Sequence, residues 1–248
     1  MSFVQVKTSE VVGKQFLYKL KSYGGVFTSL VVIQLLGVFF SLSGSSSHGT
    51  GGLGFSFNIR TYSADIIMAF TIFWGFMTAL LLTTKAYRED DFAFVTNRLT
   101  SNLSTISFLV TAGIIASLTA CLSSFLIQVA AYIQGSEVHM LFNKEDMLAS
   151  LGYAAAYTGF SILLFNSIGY LAGMIIQLNR LFLFILPTVF IGSLIILGVN
   201  DGGNPVAVLV QFIYFEPVFW LFILKTLVLS VLFFALAALV SRRLEVGR

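Results

Sequence analysis

ISFLVTAGIIASLTACLSSFLIQVAAYI, residues 106–133, runs for 28 positions without an Asp, Glu, Lys, Arg or His. As a helix rising 1.5 Å per residue it reaches about 42 Å, more than the roughly 30 Å of a bilayer's hydrocarbon core. A segment of this kind belongs in lipid, and five others meet the same requirement of about 20 apolar residues: 24–43, 64–84, 148–177, 181–199 and 218–240. The stretches 106–133 and 148–177 exceed what a membrane needs, so they are expected to tilt or to project beyond it. The lone cysteine, Cys121, falls inside the first of these and reads as a small buried packing residue.

Composition points the same way. The chain is 57% hydrophobic and 10% charged, where a soluble domain has about 45 to 50% apolar and about 25% charged residues. That leaves too little polar surface to solvate a compact body of 248 residues, 26 of them Phe. The net charge is +3, and the basic residues sit in short patches between apolar runs, so nucleic acid is not an expected partner.

Those patches set an orientation. Lys7, Lys14, Lys19 and Lys21 precede the first span, Lys85, Arg88 and Arg98 follow the second, Arg180 follows the fourth, and Arg242, Arg243 and Arg248 follow the last. Only Arg60 and Lys144 fall on the opposite side, with Lys225 inside a span. The bias predicts that both termini are cytoplasmic. The expected fold is all-α and polytopic, a single transmembrane domain over 1–248. It divides into an amphipathic cytoplasmic helix (1–23), a six-span bundle (24–240) and a cytoplasmic tail (241–248). The run 24–43 is longer than the apolar core of a secretory signal and is read as a retained span.

The loops carry further expectations. GSSSHGTGGLG, residues 44–54, is flexible by composition and reads as a tether. NDGGNP followed by VAVLVQFIYF, residues 200–215, is too short to cross and is expected to form a short helix re-entering or lying on the outer leaflet. Asn204 would cap it, Pro205 suits its first position, and Pro217 separates it from the last span. In the amino-terminal segment 7–23, Val12, Phe16, Leu20 and Tyr23 share one helical face and Lys7, Lys14 and Lys21 the other, with Lys19 off the pattern. In KAYREDDFAFVTNRLTSNLST, residues 85–105, Asp90 or Asp91 would cap a short helix whose Phe92, Val95, Leu99 and Leu103 form one stripe, with Arg98 and Asn102 on its flank. Such a stripe calls for something to dock on it or for packing beneath the bundle.

A basic amphipathic first helix, six spans, a cytoplasmic segment carrying Arg88, Glu89, Thr96 and Arg98, and a re-entrant segment before the last span together resemble the membrane subunit of an ATP-binding-cassette exporter of the type-2 permease family. The resemblance implies that Arg88, Glu89, Asp91, Phe92 and Arg98 belong to a coupling helix that inserts into an ATPase subunit. It implies a connecting role for Lys14 and Phe16 beside it. It further implies two ATP-binding subunits, a second permease (the same or a sister chain), contact with membrane lipid and a bacterial cell membrane. The cargo expected of a largely uncharged bundle is an amphipathic peptide, such as an antimicrobial peptide, or a lipid-like molecule. No G-x-x-x-x-G-K-[ST] occurs, so ATP and Mg would be held by the partner ATPase and no cofactor by this chain.

Polar residues within spans are read conservatively. Lys225 either pairs with nearby Glu216, snorkels outward or lines a pathway or outer gate. Gln34, Gln128, Asn166 and Gln177 read as interhelical hydrogen-bonding residues, and the Gly169, Gly173 spacing permits close helix approach. His48 and His139 lie in outer loops without partners, which speaks against a metal or catalytic site. Competing classes are a non-transporting immunity or sensor module, for which Phe92 and Arg98 would be replaceable, and a small intramembrane enzyme, which would need clustered acids, histidines or nucleophiles.

Overall fold

Charge placement suits the helix near the amino terminus. Helix α1, Thr8–Ser22, has Glu10 in its first turn and Lys19 and Lys21 in its last, each sign at the dipole end that favours it. The computed structural model describes residues 7–42, 46–52, 55–61, 64–84, 86–87, 97–133, 147–179, 181–185, 187–189, 192 and 205–243. After α1 come α2 (Gly24–Ser41), strands β1 (Ser46–Gly52) and β2 (Phe55–Thr61), and α3 (Asp65–Leu82). Then follow α4 (Arg98–Ile133), α5 (Met147–Leu178), α6 (Pro205–Tyr214) and α7 (Phe219–Arg243).

Among the described residues five helices, α2, α3, α4, α5 and α7, are long and apolar enough to cross a membrane. The chain is accordingly compatible with a multi-pass membrane protein. Of the expected fifth span, 181–199, only 181–185, 187–189 and 192 are described, and 182–185, 187–189 and 192 are helical; the remainder lies outside the described residues. Helix α4 has 36 residues, about 54 Å at the α-helical rise, so it exceeds the hydrocarbon thickness. It begins at Arg98 behind Asn97, a residue type suited to a helix start, and the Asn97 carbonyl accepts from the Thr100 and Ser101 amides. The expected cap at Asp90 or Asp91 lies outside the described residues.

One expectation fails outright. Residues 46–52, read as part of a flexible tether, form β1, paired antiparallel with β2 from Ser46↔Thr61 to Gly52↔Phe55. Among the described residues the fold is thus helical with one two-stranded hairpin. The signal lay beyond the Gly/Ser-rich run, in FSFNIRT, where Phe55, Phe57 and Ile59 alternate with Ser56, Asn58 and Arg60 in the period of a strand. Its backbone groups recruit the glycine-rich strand as a partner.

The chain divides into two compact units. In the unit made of 23–75 and 111–162, Ile67, Ala120 and Ile127 form a buried cluster, with Val38, Leu42 and Ala64 packed against it. Gln34 of α2 is buried there. Its Nε2 donates to the Ala116 carbonyl at 3.1 Å and to Thr119 Oγ1 at 3.0 Å, while Trp74 Nε1 donates to Ser29 Oγ at 2.9 Å. Cys121 is buried in the same unit.

The other unit comprises 1–22, 76–110 and 163–248. Here α3 and α5 meet at glycines. A Cβ on Gly169 would stand 2.4 Å from the Phe76 carbonyl oxygen, and one on Gly173 would stand 2.1 Å from Thr83 Oγ1. The Gly-x-x-x-Gly face of α5 is therefore occupied by α3 of the same chain. Gln177 donates to the Thr83 carbonyl along this seam. Asn166 Nδ2 donates to the Leu109 carbonyl at 3.2 Å, and Tyr170 lies against Phe234 with ring centroids 5.9 Å apart.

Candidate functional site: the polar junction at the start of helix α4

The first turns of α4 carry Arg98, Asn102 and Thr105 at i, i+4 and i+7, one face of a helix. Asn102, Ser104 and Thr105 are buried, whereas Leu99 and Leu103 are 49% and 53% exposed. The apolar stripe expected to do the docking thus faces outward over its described part, and the polar flank faces in. The reason is visible in what the flank meets.

On one side it meets α1. Lys19 is buried at 2% exposure, and its Nζ donates to Ser104 Oγ at 3.0 Å and to Thr105 Oγ1 at 2.6 Å. Both hydroxyls pass their own protons to the Ser101 carbonyl, at 2.8 and 3.0 Å, which leaves their lone pairs free to receive the ammonium. The buried face of α1 is accordingly Gln15, Lys19 and Tyr23, spaced i, i+4, i+8. Of the expected apolar face, Tyr23 is buried and Val12, Phe16 and Leu20 are half-buried, while Lys7, Lys14 and Lys21 opposite are exposed. A lysine stem is long and apolar enough to cross such a contact and deliver its charge to hydroxyl oxygens. Gln15, one turn earlier, is buried with neither amide atom hydrogen-bonded among the described residues.

On the other side α4 meets α5 and α7. Tyr170 Oη donates to Asn102 Oδ1 at 2.9 Å, Asn102 Nδ2 donates to Ser241 Oγ at 3.1 Å, and Arg98 Nη1 donates to the Ser241 carbonyl at 2.7 Å. Tyr170, Asn102 and Ser241 are all buried. The Ser241 carbonyl belongs to the last turn of α7, where helix carbonyls lose their intrahelical partners, so a guanidinium is well matched to it. Buried polar networks whose members satisfy one another fix relative positions more narrowly than apolar contact does.

Of the residues singled out from sequence, Arg98 is at this junction. Lys14 is exposed and paired with Glu10 at 2.8 Å. That ammonium, by its hydrogen bond first and its charge second, holds the Glu10 carboxyl below the usual carboxylate range. Phe16 is half-buried on α1. Arg88, Glu89, Asp91 and Phe92 lie outside the described residues. Lys225 and Glu216 form an ion pair with each other on α7 and the turn before it, apart from α4. Sequence reading passed over Tyr170, Ser241, Ser104 and Thr105. The available signal was Lys19 itself, a cation on the helix face that must be covered.

Chemically the junction is a set of donors and acceptors matched to one another. Among the described residues no group of three or more His, Cys, Asp or Glu is placed to hold a metal ion. Comparison with protein-family models, with curated proteins and with solved structures returns no match.

Proposed function

We propose that this chain is the permease subunit of an ATP-driven exporter. In this reading it forms half of a pathway for an amphipathic peptide or lipid-like cargo, and a second permease supplies the other half. Two separate ATP-binding subunits hold ATP and Mg. The basic flanks of the spans support a cytoplasmic position for α1 and the start of α4, the side on which those subunits would dock. The observation that carries the reading is the junction itself: α1 is pinned to α4 by buried Lys19, and α4 is pinned to α5 and α7 through Asn102 and Arg98. A displacement applied to α1, or to the segment leading into Arg98, would move the ends of three long helices together. That is what transmission of an ATPase stroke requires.

The test is co-purification in mild detergent with candidate ATP-binding subunits encoded alongside this chain. An Asp91→Ala, Phe92→Ala double variant is the comparison. Arg98 is left intact because its tie to Ser241 makes it a poor reporter of docking alone. The wild type should retain the ATP-binding subunits, and the variant should lose them while eluting as a folded membrane protein. Failure of the wild type to retain any ATP-binding subunit would overturn the reading in favour of a non-transporting membrane module.

A further inference from the structure

Helix α6 ends at Tyr214 and α7 begins at Phe219. Pro217 accounts for the break, since it lacks an N–H and disfavours helical geometry at Glu216 before it. The last carbonyls of α6 then need other partners. The Gln211 carbonyl accepts from the Phe215 amide at 3.0 Å. The next, that of Phe212, would have met the Glu216 amide had the helix continued. It accepts instead from Lys225 Nζ at 3.1 Å, from the second turn of α7. The same ammonium sits 3.8 Å from the centroid of the Phe212 ring and is paired with the Glu216 carboxylate. One side chain on α7 therefore caps the carboxyl end of α6, covers its aromatic ring and neutralises the acid in the turn between them.

We propose that Lys225 is a latch and α6 a strap: the carboxyl end of the short helix is fastened to α7 by this ammonium and is released when the ammonium is removed. An aromatic pair, Tyr214 with Phe222 at 6.0 Å between centroids, also joins the two helices. Val208, Val210, Phe212 and Phe215, on α6 and in the turn after it, are apolar and exposed. In a medium of low dielectric the fastening is strong while complete, because the cation, the carboxylate and the orphan carbonyl have no water to turn to. Losing the cation leaves both acceptors unmatched at once. The inference stands on this geometry and does not depend on the exporter reading.

Amide hydrogen exchange of the full-length protein in proteoliposomes tests it, comparing residues 205–214 with 219–243. Lys225→Met keeps the length of the stem and removes the charge and its donors. It should raise exchange over 205–214 at least tenfold and leave 226–241 as in the wild type. Lys225→Arg, which keeps a cation able to donate to both acceptors, should stay within about threefold of the wild type. Glu216→Gln, which leaves the carbonyl cap in place, should fall between the two. Unchanged exchange over 205–214 in Lys225→Met would overturn the proposal. So would a parallel rise over 226–241, which would make Lys225 a support of the whole helix rather than a latch.

Discussion

Lys19 Nζ lies 2.6 Å from Thr105 Oγ1, a hydroxyl whose own proton is directed to the Ser101 carbonyl at 3.0 Å. The ammonium therefore fills an acceptor position and displaces nothing. Replacing it with methionine removes two charge-assisted hydrogen bonds, to Ser104 and Thr105, without stranding a donor. Such bonds are worth about 1.5–3 kcal/mol each in mutational series. Lys19→Met is expected to weaken the docking of α1 by about 2–4 kcal/mol. Exchange or protease cleavage over residues 8–22 would rise while α5 stays protected; unchanged protection of α1 would count against the role assigned to Lys19.

The chain of bonds from Tyr170 through Asn102 to Ser241 makes a second expectation, about coupling. Tyr170→Phe deletes the bond to Asn102 Oδ1, and Asn102→Ala deletes that bond and the one to Ser241 Oγ. Each should cost about 1–3 kcal/mol, because a buried polar partner is left behind. The double variant should cost less than the sum by at least about 0.5 kcal/mol. Thermal or denaturant unfolding in detergent reads both; strict additivity would show that the bonds do not act together.

Gly169 and Gly173 should respond unequally to a methyl group. At Gly169 the obstacle is the Phe76 backbone carbonyl, which moves only if α3 moves. At Gly173 it is chiefly the Thr83 side chain. Gly169→Ala is expected to cost upwards of about 3 kcal/mol, beyond the usual overpacking range of 1–3 kcal/mol. Gly173→Ala should cost less and be partly recovered by Thr83→Ala. Gly152, whose Cβ position is open, should accept alanine with a gain of up to about 1 kcal/mol. Unfolding midpoints of the four variants give the order.

Glu10 supplies a pH expectation. Its carboxyl is held below the usual range by Lys14, so the contribution of the pair is complete above the ordinary carboxylate pKa and disappears as pH falls through the lowered one. Both groups are exposed, so the contribution is small and screened by salt. Glu10→Gln should lower the helicity of α1 slightly at neutral pH, abolish its further loss in the acid range, and leave the unfolding midpoint of the whole protein at neutral pH unchanged. A shifted midpoint at neutral pH would mean that the pair supports more than its own helix.

The long helices were legible because a 20-residue apolar run has few alternatives in lipid. Hence α2, α3, α5 and α7 fall close to the stretches read from sequence, and Pro205 and Pro217 marked α6 to within a few residues. Helix α4, by contrast, starts at Arg98 and takes in 98–105, which the sequence pattern assigns to a separate short helix before the span. On α1 and its flanks the faces fall as the pattern has them, Val12, Phe16 and Leu20 half-buried and Tyr23 buried against exposed Lys7, Lys14 and Lys21. Lys19, off that pattern, is buried because Ser104 and Thr105 accept from it. At the start of α4 Leu99 and Leu103 are exposed, and the covered side is the one on which Arg98 and Asn102 find partners, which periodicity of apolar residues does not signal. The hairpin was missed because composition was weighed over the glycine-rich half alone, and pairing is a property of two segments. The partners Tyr170 and Ser241 lie 68 and 139 positions from Asn102, distances over which no local pattern reaches.

Cys121 is the sole thiol of the chain and is buried. The native protein is thus nearly silent to water-borne maleimides, and a cysteine introduced at an exposed position reports without first stripping the background. With Lys7→Cys at the start and Val208→Cys on α6, labelling of sealed vesicles from outside and after permeabilisation gives the sidedness of each position. The direction in which the chain is threaded through its membrane can be read from an otherwise unaltered sequence.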